Sequence, residues 1–474
     1  MDRLFRALSV TVQTERISGT LADTLSIEGL RIESPDWEVS IRKASLSCQP
    51  FYLLLGNVVL KEVTFQEIVL TDRHPEVKRP LDMTWPRIPP SLSWLKGWIS
   101  EVRFDGLSYR SGNGEPLLVD SLRTAMDWQA GMLVIRNLTA QSSLGSMEGF
   151  VMTGLSRPSL TGNLKIALTN TLADQDSLSL SVKLLPADRP EQVAGSVALT
   201  TASRGQERFH AEGRLAIARD RFVLRDVIVQ ETGRGGTITA TGEVLMSQPD
   251  PDARLRLEAN GIDLSREFKF PALLSGTVNI LGNMHQYEGS FNLRQHSDAP
   301  SWRDVQAAGT FAGDGSQAAI RDMSGRFLKG AFKGGMALSW EQDRRLSWDL
   351  KAANLDPARL KANLQGRINL NTTGFLRWGG TNPAEGNVKA KLMDSVFQGR
   401  TLSGALDAQW RRGLLRVSRC ELHGRGLDFR IQGTPEEGLS YRFGVSESSN
   451  VLPVKGGPFT GNGVLRWKKG ELTG

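Results

Sequence analysis

Residues with reactive side chains are sparse in this sequence, and none is spaced for catalysis. The five histidines, His74, His210, His285, His296 and His423, stand apart from one another, without the close His/Cys/Asp/Glu spacing of a zinc site. Gly330, Gly334 and Gly335 surround Lys329 and Lys333 in a faint outline of a phosphate loop. Such a loop ends in Gly-Lys-Ser/Thr and opens a helix, so that backbone amides converge on the phosphate. Neither feature is present, and the glycines read as hairpin turns. Glu436 and Glu437 fall in turn-like sequence, which places no carboxylate pair in a cleft. Cys48 and Cys420 are the only cysteines and give no disulfide framework or metal site. The expectation is a protein that is not an enzyme and carries no metal or cofactor.

What the sequence does contain is period-two alternation. Leu178, Leu180, Val182 and Leu184 alternate with Ser179, Ser181 and Lys183. Leu346, Trp348 and Leu350 alternate with Ser347 and Asp349, and Leu427, Phe429 and Ile431 with Asp428 and Arg430. Leu439, Tyr441, Phe443 and Val445 alternate with Ser440, Arg442 and Gly444. Leu255, Leu257, Val278 and Ile280 belong to the same pattern. Alternation of this kind describes strands with one apolar and one polar face. Turn signals such as Gly112-Asn113-Gly114, Ala312-Gly313-Asp314-Gly315 and Arg411-Arg412-Gly413 sit at hairpin spacing. Helical periodicity is nearly absent; Pro50 to Leu55 and Asp356-Pro357-Ala358-Arg359 predict short turns, the second capped by Asp356.

The strands recur in register. Ile135-Arg136-Asn137-Leu138, Leu224-Arg225-Asp226-Val227, Ile320-Arg321-Asp322-Met323 and, more loosely, Val417-Ser418-Arg419-Cys420 begin 89, 96 and 97 residues apart (135 to 224, 224 to 320, 320 to 417). A second element, Leu274-Ser275-Gly276-Thr277-Val278-Asn279-Ile280, matches Leu364-Gln365-Gly366-Arg367-Ile368-Asn369-Leu370 and, more weakly, Phe459 to Val464. Its glycines lie 90 and 95 residues apart (276 to 366, 366 to 461). Two independent elements with one period indicate an elongated repeat architecture. The Arg-Asp/Asn segment reads as the same bend or bulge in each copy.

Composition agrees. Of 474 residues 39% are hydrophobic and 49 are glycine, a balance suited to many short strands and turns. The net charge of +7 is scattered along the chain, which predicts no nucleic-acid footprint. No apolar run approaches the roughly 20 residues of a membrane span. Residues 1–77 read as an N-terminal β unit, 78–95 as a Pro-rich linker or edge cover, and 96–474 as the repeated region. The strand-like stretch reaching Leu472 and Gly474 suggests a piece of a longer chain.

A sheet apolar on one face must cover that face. A sandwich of such repeats needs linkers, and a β-helix needs a period of roughly 20–30 residues. A curved antiparallel trough remains, with roughly 40–45 strands at about 10–11 residues per strand and turn. An apolar trough suits acyl chains, which lose about 0.8 kcal/mol for each CH₂ exposed to water. Leu178, Leu180, Val182, Leu255, Leu257, Val278, Ile280, Leu346, Trp348, Leu350, Leu427, Phe429, Ile431, Tyr441, Phe443 and Val445 are the candidate floor residues. Trp340 is read as sharing that face.

The N-terminal order of elements resembles the TamB family, within the AsmA-like group of bacterial envelope proteins. Ile17-Ser18-Gly19-Thr20-Leu21, Leu30-Arg31-Ile32, Leu46 to Val58, Val63-Thr64-Phe65 and Ile68-Val69-Leu70 carry the resemblance. The stretches Leu255 to Leu281 and Leu350 to Gly374 match its repeat pattern. The resemblance implies a β-taco with a hydrophobic groove, residing in the periplasm of a Gram-negative bacterium and anchored in the inner membrane when full length. It further implies phospholipid acyl chains as cargo, the inner and outer membranes as partners, and an Omp85-type outer-membrane barrel at the far end. The family's anchor helix and C-terminal domain have no counterpart in these residues. The alternative function is an envelope assembly scaffold that offers its sheet edge to client strands.

Overall fold

The computed structural model describes residues 11–20, 23–35, 37–72, 85, 96–111, 116–129, 131–169, 177–187, 192–203, 205–233, 235–246, 250–263, 273–283, 285–296, 305–340, 344–379, 384–411, 414–446, 457–468 and 471–473. Apart from Trp85, the Pro-rich segment 78–95 lies outside them, as do Gly112-Asn113-Gly114, Arg412-Gly413 and His74. Thirty strands account for nearly all of the described chain. Most have 8 to 16 residues, as in Leu427–Thr434 and Asn57–Asp72, longer than the alternation alone suggested, so fewer strands use the same length of chain.

The chain forms two units, Met1–Arg234 with Thr239–Ala253, and Gly235–Ile238 with Arg254–Gly474. In each, strands pair with the strands next to them in sequence. In the first unit the ladder runs from Thr24–Glu33 through Trp37–Cys48 and Asn57–Asp72 to Arg221–Glu231, antiparallel at every joint but one. In the second an unbroken antiparallel ladder joins Leu273–Gly282 to Phe459–Lys468. Each unit is thus the all-β, trough-like antiparallel sheet that the alternation predicted.

The exception is parallel. Asn57–Asp72 pairs with Lys96–Ser111 from Asn57↔Lys96 to Asp72↔Ser111. Period-two alternation fixes the face a residue occupies and leaves strand direction open, so a parallel joint is invisible to it. Parallel neighbours require a long connection. Trp85, within that connection, donates its indole N–H to the Gly154 carbonyl at 2.7 Å, at the end of strand Gly145–Gly154.

The repeated Arg-Asp/Asn segment is a β-bulge. Asn137, Asp226 and Asp322 have φ of 51°, 51° and 49°, the left-handed region that Asn and Asp enter more readily than other non-glycine residues. At each the register slips, and the Arg and Asn/Asp both stay exposed. Bulges increase twist and bend a sheet, so the motif repeats a bend about every 90 residues. In the fourth copy the register also slips between Val417 and Cys420, without a positive φ.

Both predicted short turns are present as 3-10 helices. In Pro357–Arg359 the Asp356 carboxylate accepts from the Ala358 amide at 3.1 Å. Pro50–Leu55 ends on Gly56 in the left-handed region and sets Tyr52 edge-on to Trp98 at 5.6 Å. Gly334 and Gly335 correct the sequence reading: they lie inside strand Gly330–Ser339, and the hairpin is made by Leu328 and Lys329, both at positive φ. Gly334 is required by close approach, because a Cβ there would stand 2.0 Å from the Asp349 carbonyl oxygen of the next strand.

Candidate functional site

The apolar faces are built by register. In the first unit one row runs Ile27, Ala44, Phe65, Phe104, Leu122, Ala140, Met147, Ile166, Leu178, Thr201 and Phe209, one residue from each successive strand. Thr201 is its one polar member, and its hydroxyl has no hydrogen-bond partner. In the second unit a row runs Ile280, Gly289, Phe311, Ile320, Met336, Trp348, Gly374, Val388, Ala408, Val417, Gly433, Leu439 and Leu465. Every position of that row is apolar or glycine.

The candidate residues fall on these faces. Leu178, Leu180 and Val182 share one with Ile166, Leu164 and Gly162 of the preceding strand. Val278 and Ile280 pair with Phe291 and Gly289. Leu346, Trp348 and Leu350 pair with Leu338, Met336 and Gly334. Leu427, Phe429 and Ile431 pair with Val445, Phe443 and Tyr441. Leu255 and Leu257 are half-buried and alternate with exposed Arg254, Arg256 and Glu258 in strand Asp252–Asp263. Trp340 follows the end of Gly330–Ser339 and donates its indole N–H to the Gly315 carbonyl at 2.8 Å.

These side chains are half-buried, Val445 alone among the candidates being buried. A sandwich would have enclosed the inner face of both sheets.

The floor is levelled by a pairing that the sequence did not announce. Large rings lie over glycines of the adjoining strand. A Cβ on Gly374 would meet Trp348 Cζ2 at 2.5 Å, one on Gly461 the Phe443 ring at 2.5 Å, and one on Gly463 the Tyr441 hydroxyl at 2.7 Å. The ring takes the volume the glycine leaves. Tyr441 and Phe443 are parallel within 7° at 6.2 Å, and Phe65 stacks on Phe104 at 5.1 Å. Phe65, Phe104, Phe311 and Phe332 belong to the floor and were missed. Phe65 visibly shares the period-two face of Val63, whereas Phe311 and Phe332 are hidden among alanines and glycines.

The opposite face carries the charges. Lys389 meets Asp407 across the ladder at 3.8 Å, Arg377 meets Glu385 at 3.1 Å, and Arg419 meets Glu421 at 2.7 Å. The Arg419 hydrogen bond holds the Glu421 carboxyl below its ordinary value. These pairs are solvated, so each contributes little to stability. His423 lies 3.3 Å from Asp428 and 3.7 Å from Glu421, and His210 lies near Glu207 and Glu212. Among the described residues no His/Cys/Asp/Glu group is placed to hold a metal ion, and no helix is long and apolar enough to cross a membrane. Cys48 and Cys420 are free thiols.

Comparison with protein-family models and with curated proteins finds no match in either. The fold and the composition of its two faces therefore carry the functional reading.

Proposed function

We propose that this chain is a lipid-carrying segment of a bacterial envelope protein of the TamB type, moving phospholipid across the periplasm toward the outer membrane. The observation that carries the reading is the register row from Ile280 to Leu465, apolar or glycine at every strand and for the most part half-buried. A lipid with two chains of about 16 carbons forfeits roughly 25 kcal/mol when carried bare through water. A floor without charged residues offsets that at each step along the ladder, while the head group stays in solvent at the margin. No reactive side chain is needed. Residence in the periplasm, attachment to the inner membrane and a barrel partner in the outer membrane follow from the family resemblance.

Strand addition to an exposed edge is the other reading. It has less support in the first unit, where the outer edge of Thr24–Glu33 is occupied by the short strands Thr11–Gln13 and Arg16–Gly19.

Mass spectrometry of lipids retained through purification from a Gram-negative host tests the proposal. Phospholipid at appreciable stoichiometry is expected. A lipid-free protein that cross-links to outer-membrane barrels would favour the edge reading instead.

A further inference from the structure

The polar face of the second unit contains a concavity of about 850 Å³ that the lipid reading does not use. Its size falls within the range of roughly 300–1,000 Å³ typical of small-molecule sites. Asn292, Ser324, Lys333, Lys351 and Asn371 line it. Together with Ala308 they form one register row across six strands, linked by Asn292↔Ala308, Ala308↔Ser324, Ser324↔Lys333, Lys333↔Lys351 and Lys351↔Asn371. Arg326 joins from the neighbouring row. Register shifts between Ala352 and Leu355 and between Arg367 and Asn369, with Asn354 and Asp394 at positive φ, bend the sheet beside it.

The charge arrangement is what singles the concavity out. Lys333 and Lys351 are directly opposed across one ladder, and like charges in that position repel. Other opposed cations on this face are compensated: Arg377 meets Glu385, Arg430 meets Asp428, and Arg345 lies 4.8 Å over the Phe375 ring. Among the described residues Lys333, Lys351 and Arg326 have no salt-bridge partner. Asp394 is the one carboxylate among the lining residues. Three cations therefore line one hollow with a surplus of positive charge; the amides and hydroxyl of Asn292, Asn371 and Ser324 supply neutral hydrogen-bonding groups, and Ala331, Ala353 and Met393 make much of the remaining wall apolar.

We propose that this hollow binds a phosphate ester, with Lys333, Lys351 and Arg326 neutralising the phosphate and the amides holding its polar body. The cations come from strand faces, so the site needs no glycine loop or helix. The phosphate could be carried on a lipid head group or on a soluble molecule; the chemistry of capture is the same. The proposal rests on the lysine row and not on the floor row from Ile280 to Leu465, although Phe332 of the floor also lines the hollow.

The test uses the whole chain, its K333Q/K351Q variant, and K389Q as a control elsewhere on the same face. Glycerol 3-phosphate and phosphatidylglycerol vesicles are the probes, with binding followed by calorimetry and flotation. Saturable glycerol 3-phosphate binding is expected. Each lost lysine contact should weaken it about tenfold, with K389Q unchanged. Without ligand, K333Q/K351Q should unfold at a higher temperature than the parent, because the repulsion is gone, and glycerol 3-phosphate should no longer raise that temperature. Vesicle binding competed by glycerol 3-phosphate assigns a head group, and glycerol 3-phosphate binding without vesicle binding assigns a soluble ester; both uphold the site. Absence of saturable binding to either probe, or equal binding by parent and K333Q/K351Q, overturns it.

Discussion

Gly213 faces Val227 across the register slip at Asp226, and a Cβ on Gly213 would stand 2.5 Å from the Val227 Cα. The bulge is thus a two-strand device. One strand contributes a residue in the left-handed region, and its neighbour contributes the residue that makes room. At Asp322 the same place is taken by Gly309, whose Cβ would lie 3.1 Å from the Met323 Cα. At Asn137 it is taken by Thr124, whose hydroxyl donates to the Arg136 carbonyl at 2.8 Å.

Substitution on either side of the bulge should therefore destabilise the first unit. Gly213→Ala is expected to cost about 1–3 kcal/mol through overpacking. Asp226→Val should cost about 1–2 kcal/mol, because a β-branched residue resists the left-handed region. Asp226→Gly should change stability by less than about 1 kcal/mol. Urea unfolding followed by circular dichroism reads all three, and an unchanged midpoint for Gly213→Ala would contradict the close approach.

The ring-over-glycine arrangement predicts an effect at a distance from the substitution. Gly374→Ala should lift the Trp348 indole from its place and break its hydrogen bond to the Thr372 hydroxyl, 3.2 Å in the parent. The Trp348 indole N–H resonance in an ¹⁵N-labelled sample should shift and broaden, while the Trp340 resonance stays where it is.

Asp314 should titrate far below an ordinary carboxylate. It accepts the Ser316 hydroxyl at 2.6 Å, the Ser316 amide at 2.8 Å and the Gln317 amide at 3.0 Å. These bonds, the Ser316 hydroxyl first, draw its pKa down to about 2. A pKa depressed on folding gives stability that is present above the ordinary value and lost as the pH falls toward the folded one. The contribution should therefore be complete above about pH 4 and disappear toward pH 2, and Asp314→Asn should remove that pH-dependent increment. Carbon-detected NMR titration of the carboxyl measures the midpoint directly.

On the floor, Phe429 pairs with Leu422 on one side and Phe443 on the other. Phe429→Glu and Trp348→Glu should abolish lipid retention, since an unpaired carboxylate among apolar side chains is strongly disfavoured. Arg430→Glu, one residue along and on the other face, should retain lipid. Circular dichroism separates lost function from lost fold, and normal retention by both floor variants would count against the groove.

Much of this was legible because a sheet writes its faces into the sequence. Leu346, Trp348 and Leu350 alternate with Ser347 and Asp349, and the alternation alone places them together. The bulges were legible as well, since a left-handed position selects Asn or Asp and the repeat displays that choice three times. Relationships between strands were not. The opposition of Lys333 to Lys351, the ring of Trp348 over Gly374, and the parallel run of Asn57–Asp72 beside Lys96–Ser111 all depend on which strand lies next to which and in what direction. Glycine misled at Gly334, where it marks close approach between strands and not a turn.

The succession of strands in chain order has a kinetic consequence. Nearly every strand finds its partner in the segment made just before it, so most loops to be closed are short and contact order is low. Each unit can grow by adding hairpins to a finished end, in the order in which the chain emerges from a ribosome or a pore. The parallel joint between Asn57–Asp72 and Lys96–Ser111 departs from that order. Its ladder forms only after the intervening chain has travelled back along a full strand, which makes this joint the expected slow step in assembling the N-terminal part.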